Sequence, residues 1–238
     1  MYNNKISLGF SLMLISWSLI GCNDDKDQSQ HPYDVAQSQQ KPPNVLFIMA
    51  DDLGYSDLGA FGGEIHTPNL DALANQGKIL TDYHTAPTCS PTRSQLISGT
   101  DHHLAGIGAM AELSPAHLKG QPGYEGYLNE RSLSIADVLR NNGYRTYISG
   151  KWHLGLTPDT NAHAKGFDRS FTLLQGVDLH FKNTPNRYKR IANYTEDGKE
   201  VSFSELPADF FSTDYYTDKL LQYFDKDQNS NKPFFAFA

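Results

Sequence analysis

The chain has 238 residues, of which 39% are hydrophobic, and a formal net charge of -7. That is enough apolar material for a buried core in one or two domains, which excludes a disordered or fibrous protein. The acidic balance, with no cluster of Lys and Arg, excludes a nucleic-acid surface, and an anionic ligand would need its own local positive site.

In chain order, residues 1–22 come first: one cation, Lys5, then the apolar run Ile6 to Ile20 and a small residue before Cys22. This is the pattern of an export signal rather than of a helix in the mature fold. Leu19-Ile20-Gly21-Cys22 also resembles the bacterial lipoprotein cleavage box, in which the cysteine is acylated and becomes the new N-terminus. The expectation is an exported lipoprotein, periplasmic or on the outer membrane of a bacterium, tied to the membrane by a lipid anchor at Cys22. An ordinary signal peptide or an uncleaved anchor is the alternative. Residues 23–42 are rich in Asp, Gln and Ser, cannot offset the entropy of ordering, and read as a flexible linker. The only cysteines are Cys22 and Cys89. With Cys22 at the end of a signal, Cys89 is expected to be unpaired rather than bridged to it.

Residues 43–238 read as one domain. Asn44 to Ala50 is a short continuous apolar run after Pro42-Pro43, the pattern of a strand buried on both faces and hence central in its sheet. Thr67 as cap, Pro68 at the first helical position, apolar spacing of three and Gly77 as stop predict a helix. Pro91 sits where another helix could begin and Gly99 where it would end. Ser134 to Arg140 is helical and closed by Asn142-Gly143, and Tyr144 to Ile148 is a strand. The amphipathic stretch Tyr215 to Phe224 leads into a last apolar run, Pro233 to Ala238, where the chain stops inside an apparent buried strand. Strands alternating with helices predict an α/β fold with a mostly parallel central sheet flanked by helices.

Three places carry chemistry. Asp51-Asp52 follow the first strand, and adjacent carboxylates repel unless a cation or nearby Lys and Arg neutralise them. They form either a solvated acidic turn or a metal site, and oxygen ligands alone would suit Ca²⁺ or Mg²⁺ rather than zinc. Cys89 lies near a helix N-terminus, where free N–H groups favour an anion. As a bare thiol it could be a low-pKa nucleophile. Lys151 and His153, two apart on an extended segment, can point the same way because strand side chains alternate. A surface Lys beside a packed His is the bland alternative. For His84, His117, His163 and His180 a solvated or packed role is favoured, while His102 and His103 fit either a substrate entrance or a polar helix-to-loop junction.

Cys89-Ser90-Pro91-Thr92-Arg93 resembles the Cys-x-Pro-x-Arg sequence by which sulfatases are marked for conversion of the cysteine to formylglycine. Gly143-Tyr144-Arg145-Thr146-Tyr147-Ile148-Ser149-Gly150-Lys151-Trp152-His153 is similar to the second signature of that family. Ala50 to Asp57, Thr67 to Asp71 and Gly99 to Gly106 look like its bacterial arylsulfatase branch. The resemblance covers essentially all of residues 43–238, with Ser98 the one departure noted. It implies an alkaline phosphatase-like fold, truncated on its C-terminal side, and a sulfuric ester hydrolase with one Ca²⁺.

Carried over by position, the resemblance makes Cys89, as formylglycine hydrate, the nucleophile, with Arg93 fixing the hydrate, Lys151 on the sulfate and His153 taking the hydrate's proton. Asp51 and Asp52 would hold the calcium together with residue 89. It implies a maturation partner, a formylglycine-generating or sulfatase-maturating enzyme, and a substrate that is a sulfate-ester small molecule or a sulfated glycan. A leaving-group histidine and lysine and an Asp-Asn calcium pair are expected beyond the last strand, so the fragment alone is expected to be inactive. Two rivals remain: a formylglycine phosphodiesterase or phosphonate monoester hydrolase, and a non-catalytic lipoprotein that binds sulfated ligands.

Overall fold

The computed structural model describes residues 41–182 and 192–238. The signal expected over residues 1–22, the anchor at Cys22 and all but the last two residues of the linker lie outside them. At the centre is a six-stranded sheet in the order β1-β6-β2-β3-β4-β5. Its strands are β1 (Val45–Phe47), β2 (Arg145–Lys151), β3 (Arg169–Leu173), β4 (Tyr194–Glu196), β5 (Lys199–Val201) and β6 (Phe234–Phe237). β1, β6, β2 and β3 run parallel to one another, whereas β4 and β5 continue antiparallel. The fold is therefore α/β with a mixed, predominantly parallel sheet.

Helices α1 (Pro68–Gln76), α2 (Cys89–Ser98), α3 (Ile135–Asn141) and α4 (Ser212–Lys226) connect the strands. The alternation of strand side chains sorts them into layers. Ile148 of β2 and Phe235 and Phe237 of β6 join Ile97 of α2 and Ala136 of α3 in one core, which also holds Trp152 and Phe167. Tyr147 and Ala236, one residue over on the same strands, pack with Leu220 and Tyr223 of α4 on the opposite face. A third cluster, around Phe171 and Tyr194, takes Tyr215 and Tyr216 from the start of α4.

Local chemistry sets the element ends. Ser134 caps α3: its hydroxyl accepts from the Asp137 amide at 3.0 Å and donates to the Lys165 carbonyl, a cap of the kind that stabilises by about 1 kcal/mol. Gly143, at φ 87°, lets the chain reverse directly into β2 in a conformation that a Cβ would oppose. α2 closes on Gly99, whose amide bonds the Gln95 carbonyl at 2.8 Å in left-handed geometry, as expected. The helix starts two residues earlier than Pro91, however, so Cys89 is its first residue rather than a neighbour of its start.

The expected central position of the first strand is corrected. Among the described residues β1 stands at the edge of the sheet and pairs with β6 alone, and Val45 and Leu46 are 37% and 52% exposed. The middle of the parallel region belongs to β6, whose Phe235, Ala236 and Phe237 are buried. An apolar run reports that a strand is suited to burial but not its rank in the sheet, which depends on a partner 190 residues away, where the Asn44 side chain caps the Phe234 amide.

Candidate active site

The carboxyl ends of three parallel strands meet at one edge of the sheet. Asp51-Asp52 follow β1, Lys151 ends β2 and Ala238 follows β6, whose carbonyl accepts from the Met49 amide at 2.9 Å. Ligands of open α/β sheets collect at this edge. The N-terminus of α2 brings in the fourth group. The ligand-capable atoms of Asp51, Asp52 and Cys89 all lie within 4.8 Å of one another, and Cys89 carries no disulfide. Lys151 Nζ donates to both Asp51 oxygens, at 2.9 and 3.1 Å. Asp52 adopts φ 53°, an uncommon conformation for a non-glycine residue that Asp tolerates better than most.

Arg93 lies one helical turn after Cys89 and is only 5% exposed. Its Nε donates to the Trp152 carbonyl at 2.9 Å, a terminal nitrogen donates to the Lys151 carbonyl, and the other points at Met49 Sδ. The guanidinium also stands over the Phe237 ring, 5.3 Å from its centroid. One side chain thus ties α2 to the ends of β1, β2 and β6. Burial pushes its pKa down to about 10 against the pull of Asp51 and Cys89, so it remains a cation at neutral pH.

His153 follows at φ 58°. It is 7% exposed, and its Nε2 faces both oxygens of Glu112 at 3.0 and 3.2 Å. Burial pushes the imidazole pKa down, and Glu112 opposes that shift. Burial alone would raise the Glu112 carboxyl, but its own backbone amide and His153 hold it below its ordinary value.

A cleft of about 680 Å³ is lined by Asp51, Asp52, Arg93, Lys151 and His180, among others. A neighbouring pocket of about 520 Å³ holds Glu112 and His153, and Gly176, Val177 and Asp178 form a wall common to both. The structure therefore gathers Asp51, Asp52, Cys89 and Lys151 at one place, with Arg93 beneath them and His153 in the adjoining pocket.

Strand alternation is not what relates Lys151 to His153. β2 ends at Lys151, and the left-handed turn at His153 directs that ring to Glu112. His180, expected to be solvated or merely packed, lines the cleft, and its Nδ1 pairs with the Ser212 hydroxyl at 2.7 Å. Glu112 escaped sequence reasoning because it lies in a loop 41 residues from its partner with no local pattern to mark it. Asp101, His102 and His103 also cluster, but turn chemistry explains them. Asp101 accepts from the His103 amide, and His102 Nδ1 bonds the Ile107 carbonyl, each at 2.9 Å.

The donor chemistry at residues 51, 52 and 89 fits a hard divalent cation in part. Two carboxylates are the right ligands for Ca²⁺, a thiolate sulfur is the wrong one, and an oxygen-bearing side chain at position 89 would complete a matched trio.

Comparison with known proteins places this geometry among relatives. The family model "Sulfatase" matches residues 43–238. An uncharacterised sulfatase of Schizosaccharomyces pombe is 46% identical over 210 residues, covering 84% of this chain and 38% of that protein. An arylsulfatase of Klebsiella aerogenes is 38% identical over 205 residues, covering 84% of this chain and 42% of the relative. The chain thus spans about two fifths of the length of these curated relatives. The crystal structure of Ps i-CgsB in complex with k-i-k-neocarrahexaose aligns with a TM-score of 0.65 at 27% identity, covering 83% of this chain and 44% of that one. A structure solved with its substrate, D-glucosamine-2-N,6-O-disulfate, aligns with a TM-score of 0.61 at 26% identity, covering 83% and 34% respectively.

Proposed function

The chain belongs to the sulfatase family, and from that premise we propose that the protein hydrolyses sulfate esters with a formylglycine nucleophile made from Cys89. The observation that carries this reading is the convergence of Asp51, Asp52 and Cys89 within 4.8 Å, with Lys151 bonded to Asp51. An acid pair that sequence chemistry leaves as costly is met there by a cation and by the one cysteine of the domain.

The chain's own groups divide the work. Lys151, only 12% exposed at its side chain, supplies the local positive charge that an acidic protein needs for an anionic ester. Arg93 fixes the ends of three strands, and so the distance between residue 89 and the acid pair. A formylglycine hydrate carries two hydroxyls, one to attack sulfur as the ester S–O bond breaks and one to expel sulfate as the carbonyl re-forms. His153 is the base that takes the proton released in that second step. His180 lines the same cleft, its Nδ1 bonded to the Ser212 hydroxyl. Asp51 and Asp52, with residue 89, would hold Ca²⁺, which supplies Lewis-acid stabilisation of charge on sulfate oxygens when bound.

The substrate class is read from the relatives. An arylsulfatase and a protein solved with its substrate D-glucosamine-2-N,6-O-disulfate point to a sulfate ester, and a further structure solved with a neocarrahexaose points to a glycan as one carrier of it. The reading extends to maturation by a formylglycine-generating or sulfatase-maturating enzyme. It also extends to export through residues 1–22 and to a lipid anchor at Cys22 in the periplasm or outer membrane. A phosphodiester or phosphonate substrate would use the same nucleophile and metal.

Parallel assays separate the two. With the full-length protein and Ca²⁺, an aryl sulfate should be turned over at least about tenfold faster, by kcat/KM, than the matching aryl phosphodiester, a gap of about 1.4 kcal/mol in transition-state binding. A chelator should abolish that turnover. Preference for the diester would transfer the protein to the phosphodiesterase reading, and no turnover of either would leave a binding protein.

A further inference from the structure

Glu112 belongs to no helix or strand, yet it makes a specific contact with the base. Both of its oxygens lie within 3.2 Å of His153 Nε2, so the carboxylate accepts from an Nε2–H. The ring is 7% exposed while the Glu112 side chain is 50% exposed. The buried partner is thus held and the open one does the holding.

The fit around the pair is close. A Cβ built on Gly176 would approach His153 Cε1 to 2.3 Å, Nε2 to 2.6 Å and Glu112 Oε1 to 2.9 Å, so only glycine leaves room for the two rotamers together. His153 itself sits at φ 58°, a conformation that costs free energy and persists where its surroundings over-determine it. The other ring nitrogen, Nδ1, is buried and has no partner among the described residues. An exposed ion pair formed only for stability would contribute about 0–1 kcal/mol and would need none of this confinement.

We propose that Glu112 is a positioning residue for His153, keeping the proton on Nε2, leaving Nδ1 as the basic nitrogen, and stabilising the imidazolium that forms when the ring takes a proton. It is the role a carboxylate plays wherever a base must be oriented by a third group. The proposal rests on the reading of His153 as the proton acceptor. The charged groups acting on the imidazole are Glu112, Lys151 and Arg93, with Asp178 on the wall of the same pocket. Glu112 is the group hydrogen-bonded to the ring that favours its protonated form, so its removal changes both the geometry and the basicity of His153.

The test uses the full-length protein and an aryl sulfate. Glu112→Gln should lower kcat about 10- to 100-fold, the usual range for loss of a group that orients an active residue. It should leave KM within about twofold, since ground-state binding is untouched. It should also shift the acidic limb of the kcat profile to lower pH, because the carboxylate that favours protonation is gone. Glu112→Asp, which keeps the charge, should restore that limb toward wild type. On a His153→Ala background, Glu112→Gln should cost nothing further. If His153→Ala is nearly inactive but Glu112→Gln keeps the wild-type kcat and pH profile, the pairing has no catalytic consequence and the proposal is overturned. A Glu112→Gln loss confined to thermal stability, with the profile unmoved, overturns it equally. If His153→Ala itself retains wild-type kcat, the assignment of the base fails instead.

Discussion

Replacing Cys89 by alanine in the full-length protein should leave a folded enzyme that turns over an aryl sulfate about 10⁴-fold more slowly or worse, the scale seen when a hydrolase loses its nucleophile. The substitution is structurally mild. Cys89 is the first residue of α2 and makes no disulfide, and alanine is the strongest helix former. The near-wild-type circular dichroism and unfolding midpoint expected of the variant would confine its defect to chemistry. The positive charge at Lys151 remains, together with the Ca²⁺ that Asp51 and Asp52 would hold, so substrate should still bind and the loss should fall on kcat far more than on KM. Turnover within tenfold of wild type would mean that the attacking group lies elsewhere, and the clustering of residues 51, 52 and 89 would lose its chemical meaning.

Arg93→Ala should be the most damaging single change to stability in the site, by about 3–5 kcal/mol, from two buried carbonyls left without this donor at about 1–3 kcal/mol each together with the lost packing. Two consecutive carbonyls, Lys151 and Trp152, accept from this one guanidinium, and Phe237 lies beneath it. Alanine would leave both carbonyls short of a donor and open a cavity among α2, β2 and β6. Since a domain is stable by only about 5–15 kcal/mol, such a loss should be visible as a large drop in the urea midpoint. Arg93→Lys tests the cause. A single ammonium cannot span both carbonyls as the planar fork does, so it should recover only part of the loss despite keeping the charge. Full recovery by lysine would show that charge alone, not the forked contact, holds the strand ends.

Much of this fold was legible in the sequence, for identifiable reasons. Helix α3 carries its own start and stop signals, Ser134 ahead of Asn142-Gly143. α1 starts at Pro68 and stops at Gly77 as expected, although the Thr67 side chain makes no capping bond. Such start and stop signals act over four residues or fewer. α4 was legible by its amphipathic period alone. The antiparallel β3-β4-β5 region was not anticipated, because its strands are three to five residues long and too brief for a clear period. One local signal was present: Asp197-Gly198, with φ of 48° and 80°, is the residue pair that a tight hairpin turn demands. The rank of β1 among the described residues depends on its pairing with β6, 190 residues away in sequence, which no local pattern reports.

The site divides along the same line. Cys89, Arg93, Lys151 and the acid pair stand in recognisable local patterns. Glu112 and His180 acquire their places only through long-range folding, Glu112 by the left-handed turn at His153 and His180 by its bond to Ser212 at the start of α4. Neither could be separated from an ordinary surface side chain by its neighbours in sequence.

Everything chemical in this reading depends on what stands at position 89. Mass spectrometry of the tryptic peptide that contains Cys89, from full-length protein expressed in its own host, addresses that directly. The mass decrease that accompanies replacement of a thiol by an aldehyde, with the peptide reactive toward a carbonyl reagent, is the predicted result. An intact thiol in protein that is nonetheless active toward a sulfate ester would contradict it.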